Sequence, residues 1–226
     1  MQQSAIDQVR REVAALHNEL VRYQLVVWTA GNISARVPGA DLMVIKPSGV
    51  PYDALSDQSM VVTNLQGEVV QGDYAPSSDT AAHAYIYRHM PSIGGVVHTH
   101  SPYATAWAAC REPIPCVLTM MGDEFGGEIP VGPFALIGDD SIGRGVVQTL
   151  ETSRSPAVLM ANHGVFAVGP SARQAVKAAV MCEEVARTVL LARQLGTPLP
   201  LDAETAGRLY ERYQNAYGQS SGEKHH

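Results

Sequence analysis

The chain has 226 residues, 46% of them hydrophobic and 17% charged, and a formal net charge of −6. That is material for one sizeable domain, and it argues against a nucleic-acid partner: there is no basic run, and the only lysines are Lys46, Lys177 and Lys224. No apolar stretch reaches the roughly 20 residues of a membrane span, the first residues lack a signal-peptide core, and Cys110, Cys116 and Cys182, at no CxxC spacing, read as reduced core residues of a cytoplasmic protein.

In residues 4–25, Ile6, Val9, Val13, Leu16 and Leu20 recur at three- and four-residue spacing, with Arg10, Arg11, Glu12 and Glu19 between them. This predicts an amphipathic helix packed on one side. His17 on it reads as an ordinary surface or core histidine. Residues 26–30 read as a strand or a helix exit. Gly31-Asn32 is a turn signal, and also a place where backbone N–H groups can approach a ligand closely. Residues 42–45 predict an apolar strand, closed by Lys46 and a Pro47-Ser48-Gly49 turn. Free N–H groups, a hydroxyl and an ammonium suit an anion such as phosphate. A lysine snorkelling from a strand end explains the same residues.

Residues 60–64 and 68–70 flank Leu65-Gln66-Gly67 and predict a hairpin. Ser77-Ser78-Asp79 before a helical run is a capping signature, with Asp79 in the first turn and His83 one turn on, on the same face. A helix N-terminus is also an anion site, so both readings stand for these residues. Gly94-Gly95 then feeds a β-branched strand that ends in His98-Thr99-His100. Alternation puts both imidazoles on one face. Two imidazoles so placed can hold one metal ion; polar residues on a half-solvated strand are the plainer explanation. A helix is expected after Ser101, with Pro102 in its first turn.

Residues 121–130, with three glycines and the acids Asp123 and Glu124, read as a loop. Residues 141–151 read as a helix, and 157–169 as two strands around a tight Asn162-His163-Gly164 turn. His163 there is the candidate third ligand, and catalytic zinc sites commonly take three protein ligands and leave one position open. Residues 171–195 form a long helix capped by Ser171 and stopped by Gly196, and a last helix covers about 202–213. Strands and helices mix throughout, so the class is α/β. The reading is a single domain over 1–219 with a small polar tail, 220–226, whose two histidines are set aside as a tag remnant.

Six ordered pieces resemble the class II aldolase/adducin family, and within it the L-ribulose-5-phosphate 4-epimerases. They are Gly31-Asn32-Ile33-Ser34, Ile45-Lys46-Pro47-Ser48-Gly49-Val50, Pro76-Ser77-Ser78-Asp79-Thr80, residues 91–101 through His98-Thr99-His100, Asn162-His163-Gly164, and Ala216-Tyr217-Gly218-Gln219. The resemblance implies a three-layer α/β/α domain with a mostly antiparallel sheet, and a homotetramer with active sites at subunit interfaces. It implies zinc, or manganese or cobalt in its place, on His98, His100 and His163, with Asp79 beside it as ligand or acid/base. It implies a sugar phosphate held by Gly31, Asn32, Lys46, Ser48, Gly49, Ser77 and Ser78. Asp123 and Tyr217 match the two catalytic groups of the epimerases, the tyrosine being lent by a neighbouring subunit. The implied reaction is a metal-assisted retro-aldol and aldol that inverts C4 of a ketopentose phosphate, L-ribulose 5-phosphate to D-xylulose 5-phosphate.

Aspartate at position 79 matches the epimerases; the related fuculose-phosphate aldolases carry glutamate there, and a lyase of that kind is the second reading. A non-catalytic adducin-like module is the third, and it predicts missing metal ligands, whereas all three are here. The chain departs from the epimerases in two places. The epimerases carry an Arg-Lys-His-Gly stretch shortly before the terminal tyrosine, one arginine of which helps hold phosphate; this chain has Arg208 and Arg212 but no such stretch, and segment 132–145 is shorter.

Overall fold

The structure, a computed structural model, describes residues 2–216. Helix α1 (Gln2–Arg22) buries Ile6, Val9, Val13, Leu16 and Leu20, as their spacing requires. It ends three residues short of the expected bound, because Gln24 turns left-handed at φ 57. Residues 23–31 are turns, the helix exit of the two readings.

The remaining elements are β1 (Asn32–Arg36), β2 (Leu42–Ile45), β3 (Val61–Asn64), β4 (Val69–Gln71), α2 (Thr80–His89), β5 (Gly95–Thr99), α3 (Pro102–Cys110), α4 (Thr119–Phe125), β6 (Val131–Gly132), α5 (Ser141–Leu150), β7 (Ala157–Met160), β8 (Gly164–Gly169), α6 (Ala172–Leu195) and α7 (Ala203–Ala216). The eight strands among the described residues form one sheet in the order β4-β3-β2-β1-β5-β8-β7-β6. Every pairing is antiparallel except β6 with β7, so the mostly antiparallel sheet is as expected.

Alternation along the strands makes three layers. Val44 and Val97 face a core built with α1, α3 and α6. Met43, Ile45 and Val96 face a second core built with α2 and α5. His98, two residues beyond Val96, therefore lies on the α2–α5 face. None of the described helices is long and apolar enough to cross a membrane.

Two expectations need correction. Residues 121–130 are not all loop, because Thr119–Phe125 form α4. Met121 and Phe125, four apart, are buried, and a Cβ on Gly122 would lie 2.7 Å from Leu209 Cδ1, so the glycine lets α7 approach closely. Gly126 then ends the helix in a left-handed cap at φ 65. The cysteines are not all core residues either: Cys116 and Cys182 are buried, but Cys110 is exposed.

Candidate active site

Sheet register builds the floor of the site. On β5, His98 stands opposite Asn32 of β1 on one side and Phe166 of β8 on the other. Directly opposed residues share a face, so an amide, an imidazole and a phenyl ring lie in one row. The His98 ring stacks on Phe166 with centroids 4.3 Å apart. His100 follows on the same face, as alternation predicts, and His163 arrives from the β7–β8 turn, where Asn162 takes φ 57.

The three imidazoles converge. His98 Nε2 and His100 Nε2 are 2.9 Å apart, and one ligand nitrogen from each of the three rings lies within 4.8 Å of the others. Nitrogens on one tetrahedral zinc are about 3.3 Å apart, so small ring rotations make the set. The donors fit such an ion. His98 Nδ1 donates to Val165 O at 2.9 Å, which leaves the Nε2 lone pair facing the other rings. Both ring nitrogens of His163 are buried without a hydrogen-bond partner among the described residues, a costly state that a cation relieves. Burial lowers all three histidine pKa values, that of His98 to about 3, so the rings are neutral ligands.

Asp79 stands beside the triad rather than in it. It occupies the N-cap position of α2 but makes no cap hydrogen bond. Instead its Oδ2 accepts from Asn32 Nδ2 at 2.7 Å, and its Oδ1 is buried and unpartnered among the described residues. Burial alone would raise its pKa, but His98, His83, the Asn32 amide and His163 together hold it low. Ser77 takes over near the helix start: its Oγ accepts from the Asp79 N–H at 3.3 Å and from Asn32 Nδ2 at 3.1 Å.

One cavity of about 270 Å³ collects these residues. Beside His98, His100, His163 and Asp79 it is lined by Gly31, Asn32, Lys46, Ser48, Gly49, Ser77 and Ser78, every residue expected to hold phosphate. Two of those expectations change in detail. The Lys46 ammonium, 2% exposed, donates to the carbonyls of Thr29 (3.3 Å), Pro47 (3.2 Å) and Val50 (3.1 Å), which engages all three of its hydrogens. It has no carboxylate partner among the described residues and burial lowers its pKa, so it acts on an anion as a nearby charge. The N–H groups of Ser48 and Ser77 tie the two turns together, to Ala75 O (2.9 Å) and Lys46 O (3.0 Å). That leaves the serine hydroxyls and the next N–H groups, of Gly49 and Ser78. Gly49 needs its φ of 66, and a Cβ there would meet nothing within 4 Å.

The profile of the Class II Aldolase and Adducin N-terminal domain matches residues 11–190. The chain belongs to the class II aldolase/adducin family. Among solved structures, an L-fuculose 1-phosphate aldolase is 29% identical with a TM-score of 0.86, over 92% of this chain and 96% of that one. YgbL from Klebsiella pneumoniae, described only as an aldolase/epimerase/decarboxylase candidate, is 30% identical with a TM-score of 0.78, over 90% of this chain and 98% of that one. The L-fuculose-1-phosphate aldolase of Thermus thermophilus shares the fold, with a TM-score of 0.71 at 23% identity. The chain is thus an enzyme of the class II aldolase superfamily, whose members depend on divalent metal and act on sugar phosphates.

Of the two remaining expected site residues of this class II aldolase family member, Asp123 does not line the cavity. Asp123 sits on α4, where its Oδ1 accepts from Arg212 Nη2 of α7 at 3.0 Å. Tyr217 lies outside the described residues. Three features of the site escaped the sequence. Ile137, from the β6–α5 connection, lines the cavity, and nothing local signals it. His83 is fully buried, with Nδ1 2.7 Å from Ser34 Oγ and Nε2 unpartnered. His17, read as ordinary, accepts the Ile33 N–H on Nε2 at 3.1 Å.

Burial holds the pKa of His17 at about 3 and, against the opposing pull of Asp79, that of His83 at about 4, from an ordinary 6.5. Below 6.5 the unfolded chain takes up protons that the folded rings refuse, so stability is full above that pH and is lost as pH falls toward 4. For the metal-free protein, the two rings together should remove roughly 3 to 4 kcal/mol between about pH 7 and about pH 5. Urea unfolding across that range checks it: the metal-free triad adds to the slope in the same direction, and His17→Gln should reduce the total change by about 2 kcal/mol; an unchanged slope would count against a neutral buried ring.

Proposed function

We propose that this chain breaks and re-forms the C3–C4 bond of a ketopentose phosphate, inverting C4, with L-ribulose 5-phosphate and D-xylulose 5-phosphate as the pair it interconverts. The observation that carries this reading is the single cavity shared by three neutral imidazoles and an anion-suited pair of turns. A divalent ion on His98, His100 and His163 (zinc, or manganese or cobalt) supplies Lewis acidity for the negative charge that develops on the ketose oxygens.

The chain's own residues do the rest. The Gly31-Asn32, Ser48-Gly49 and Ser77-Ser78 turns hold the phosphate, so that the aldehyde fragment is not lost when C3–C4 breaks. Lys46 biases the cavity toward an anion. Asp79, kept ionised and aimed by Asn32, holds or moves a proton at its free Oδ1. Inversion needs a proton donor on each side of C4, and Asp123 and Tyr217 are the two. Asp123 does not line the cavity of its own chain, so the reading places both donors on a neighbouring subunit of a homotetramer in the cytoplasm.

A lyase that releases the aldehyde instead is the second reading. The 29% identity to an L-fuculose 1-phosphate aldolase favours it, while aspartate at position 79 weighs against it. Incubation of metal-loaded protein with L-ribulose 5-phosphate separates the two. D-xylulose 5-phosphate is the expected product; glycolaldehyde phosphate with a three-carbon ketone would establish the lyase, no conversion would overturn the inversion reading, and no cleavage of L-fuculose 1-phosphate either would overturn the lyase. Asp123→Asn should then abolish inversion while leaving metal content unchanged.

A further inference from the structure

The turn that opens the anion cradle is held from behind by two buried side chains, His17 and Lys46, and the half-buried Tyr52. Residues 29–31 belong to no helix or strand, yet their carbonyls are all engaged. Lys46 Nζ donates to Thr29 O at 3.3 Å. The Tyr52 hydroxyl shares its hydrogen between Ala30 O at 2.9 Å and Gly31 O at 3.1 Å. Two residues on, His17 Nε2 accepts the Ile33 N–H, and His17 Nδ1 donates to Val13 O at 2.7 Å. Four backbone groups within five residues are therefore met by three side chains from distant parts of the sequence. Those side chains touch one another: Lys46 Nζ lies 5.2 Å from the Tyr52 ring centre, and the Tyr52 and His17 rings are 5.9 Å apart.

The turn needs such support. Trp28 is a non-glycine residue at φ 58, a conformation bulky side chains avoid. Gly31, at φ 81, has no free space behind it: a Cβ would lie 2.7 Å from Val26 Cγ1, 3.0 Å from His98 O and 3.4 Å from Tyr52 Oη. In a trans peptide the N–H points opposite to the C=O. Drawing Ala30 O toward Tyr52 therefore turns the Gly31 N–H away from it. A backbone donor fixed in advance receives an oxyanion without reorganising. The Tyr52 hydroxyl touches neither the metal ligands nor the Ser48 and Ser77 turns, so its influence reaches a ligand only through residues 30–31.

We propose that Tyr52 and His17 are positioning residues that hold the Gly31-Asn32 turn in the shape that receives the substrate's phosphate. This rests on the reading of the cavity as a phosphate site. Tyr52 sets the carbonyls of the turn, His17 sets the first strand residue after Asn32, and Lys46 supplies the charge behind them. The selectivity that results is for a phosphorylated over an unphosphorylated ligand, because only the phosphate end meets this turn.

The test uses zinc-loaded protein and inorganic phosphate as the probe, titrated by ³¹P NMR. Tyr52→Phe keeps the ring and removes the hydroxyl; it is expected to weaken phosphate about ten-fold, the size of one lost hydrogen bond at a buried carbonyl, with bound zinc unchanged. His17→Leu should weaken phosphate similarly, and His17→Gln, which can still donate and accept, should restore part of the loss. Phosphate affinity equal to wild type in both Tyr52→Phe and His17→Leu would overturn the proposal. So would zinc and phosphate lost in parallel, the mark of a merely structural role. No phosphate binding by the wild type would instead remove the phosphate reading of the cavity, and the proposal with it.

Discussion

Replacing His163 by alanine is expected to empty the metal centre without weakening the metal-free fold, whereas His98→Ala is expected to do both. The two rings contribute to the same triad but are held differently. His98 is 2% exposed, donates to Val165 O and stacks on Phe166. Its truncation loses a buried hydrogen bond and leaves a cavity beside an aromatic ring, together about 2–4 kcal/mol. His163 has no hydrogen-bond partner on either ring nitrogen among the described residues. Removing it deletes an unsatisfied polar group, which offsets the lost contact, so the metal-free protein should change by less than about 1 kcal/mol. In both variants kcat/KM should fall by at least about a thousand-fold, the value of several kcal/mol of lost charge stabilisation. Metal analysis after dialysis, with denaturant melts in chelator, reads each part. Full metal retention by either variant would remove that ring from the centre, and equal destabilisation of both would contradict the stated difference.

The same contrast shows what the sequence could and could not reveal. Alternation on a strand is local, so the shared face of His98 and His100 was legible from two β-branched residues and a glycine pair. His163 was legible because Asn-His-Gly forces a tight turn between two apolar runs. Asp79 looked like a cap because capping is decided within four residues. Its actual partner, Asn32, is 47 positions away, at the start of β1, and only the tertiary fold brings the two together. Lys46 carries its charge where expected, but one of the three carbonyls that engage its hydrogens, Thr29 O, comes from a turn preceding β1, and no spacing rule reports that. Helix α4 was missed for a related reason. Seven residues with an internal glycine have little helical preference of their own. What stabilises them is Leu209 packing over Gly122, a contact with a helix some ninety positions later. That packing also brings Arg212 to Asp123, so the arginine that matched no family position has a partner. Ile137 had no signal at all, because it enters the cavity only once β6 has joined the far edge of the sheet.

Gly164 is where the second large effect is expected, and it explains why a glycine follows His163. A Cβ at this position would stand 2.5 Å from Thr99 O, 2.8 Å from His100 Cδ2 and 3.4 Å from His98 Cε1. The first neighbour is strand backbone and cannot swing aside. The other two are metal-ligand rings, whose rotation is limited by the need to converge. Gly164→Ala must therefore part β8 from β5 or turn His100 out of the triad. Overpacking of this kind costs about 1–3 kcal/mol. Because the strain falls on the ligands, metal affinity should drop by about ten- to a hundred-fold, as when the groups that orient ligands are disturbed. Gly127→Ala is the control, since a Cβ there would meet nothing within 4 Å. Competition with a chelator of known affinity reads the metal constant, and thermal melts with and without metal read the strain. If the Gly164 variant binds metal as the wild type does, then β5 and the β7–β8 turn are not as tightly opposed as described, and the rings of His98, His100 and His163 do not share one centre.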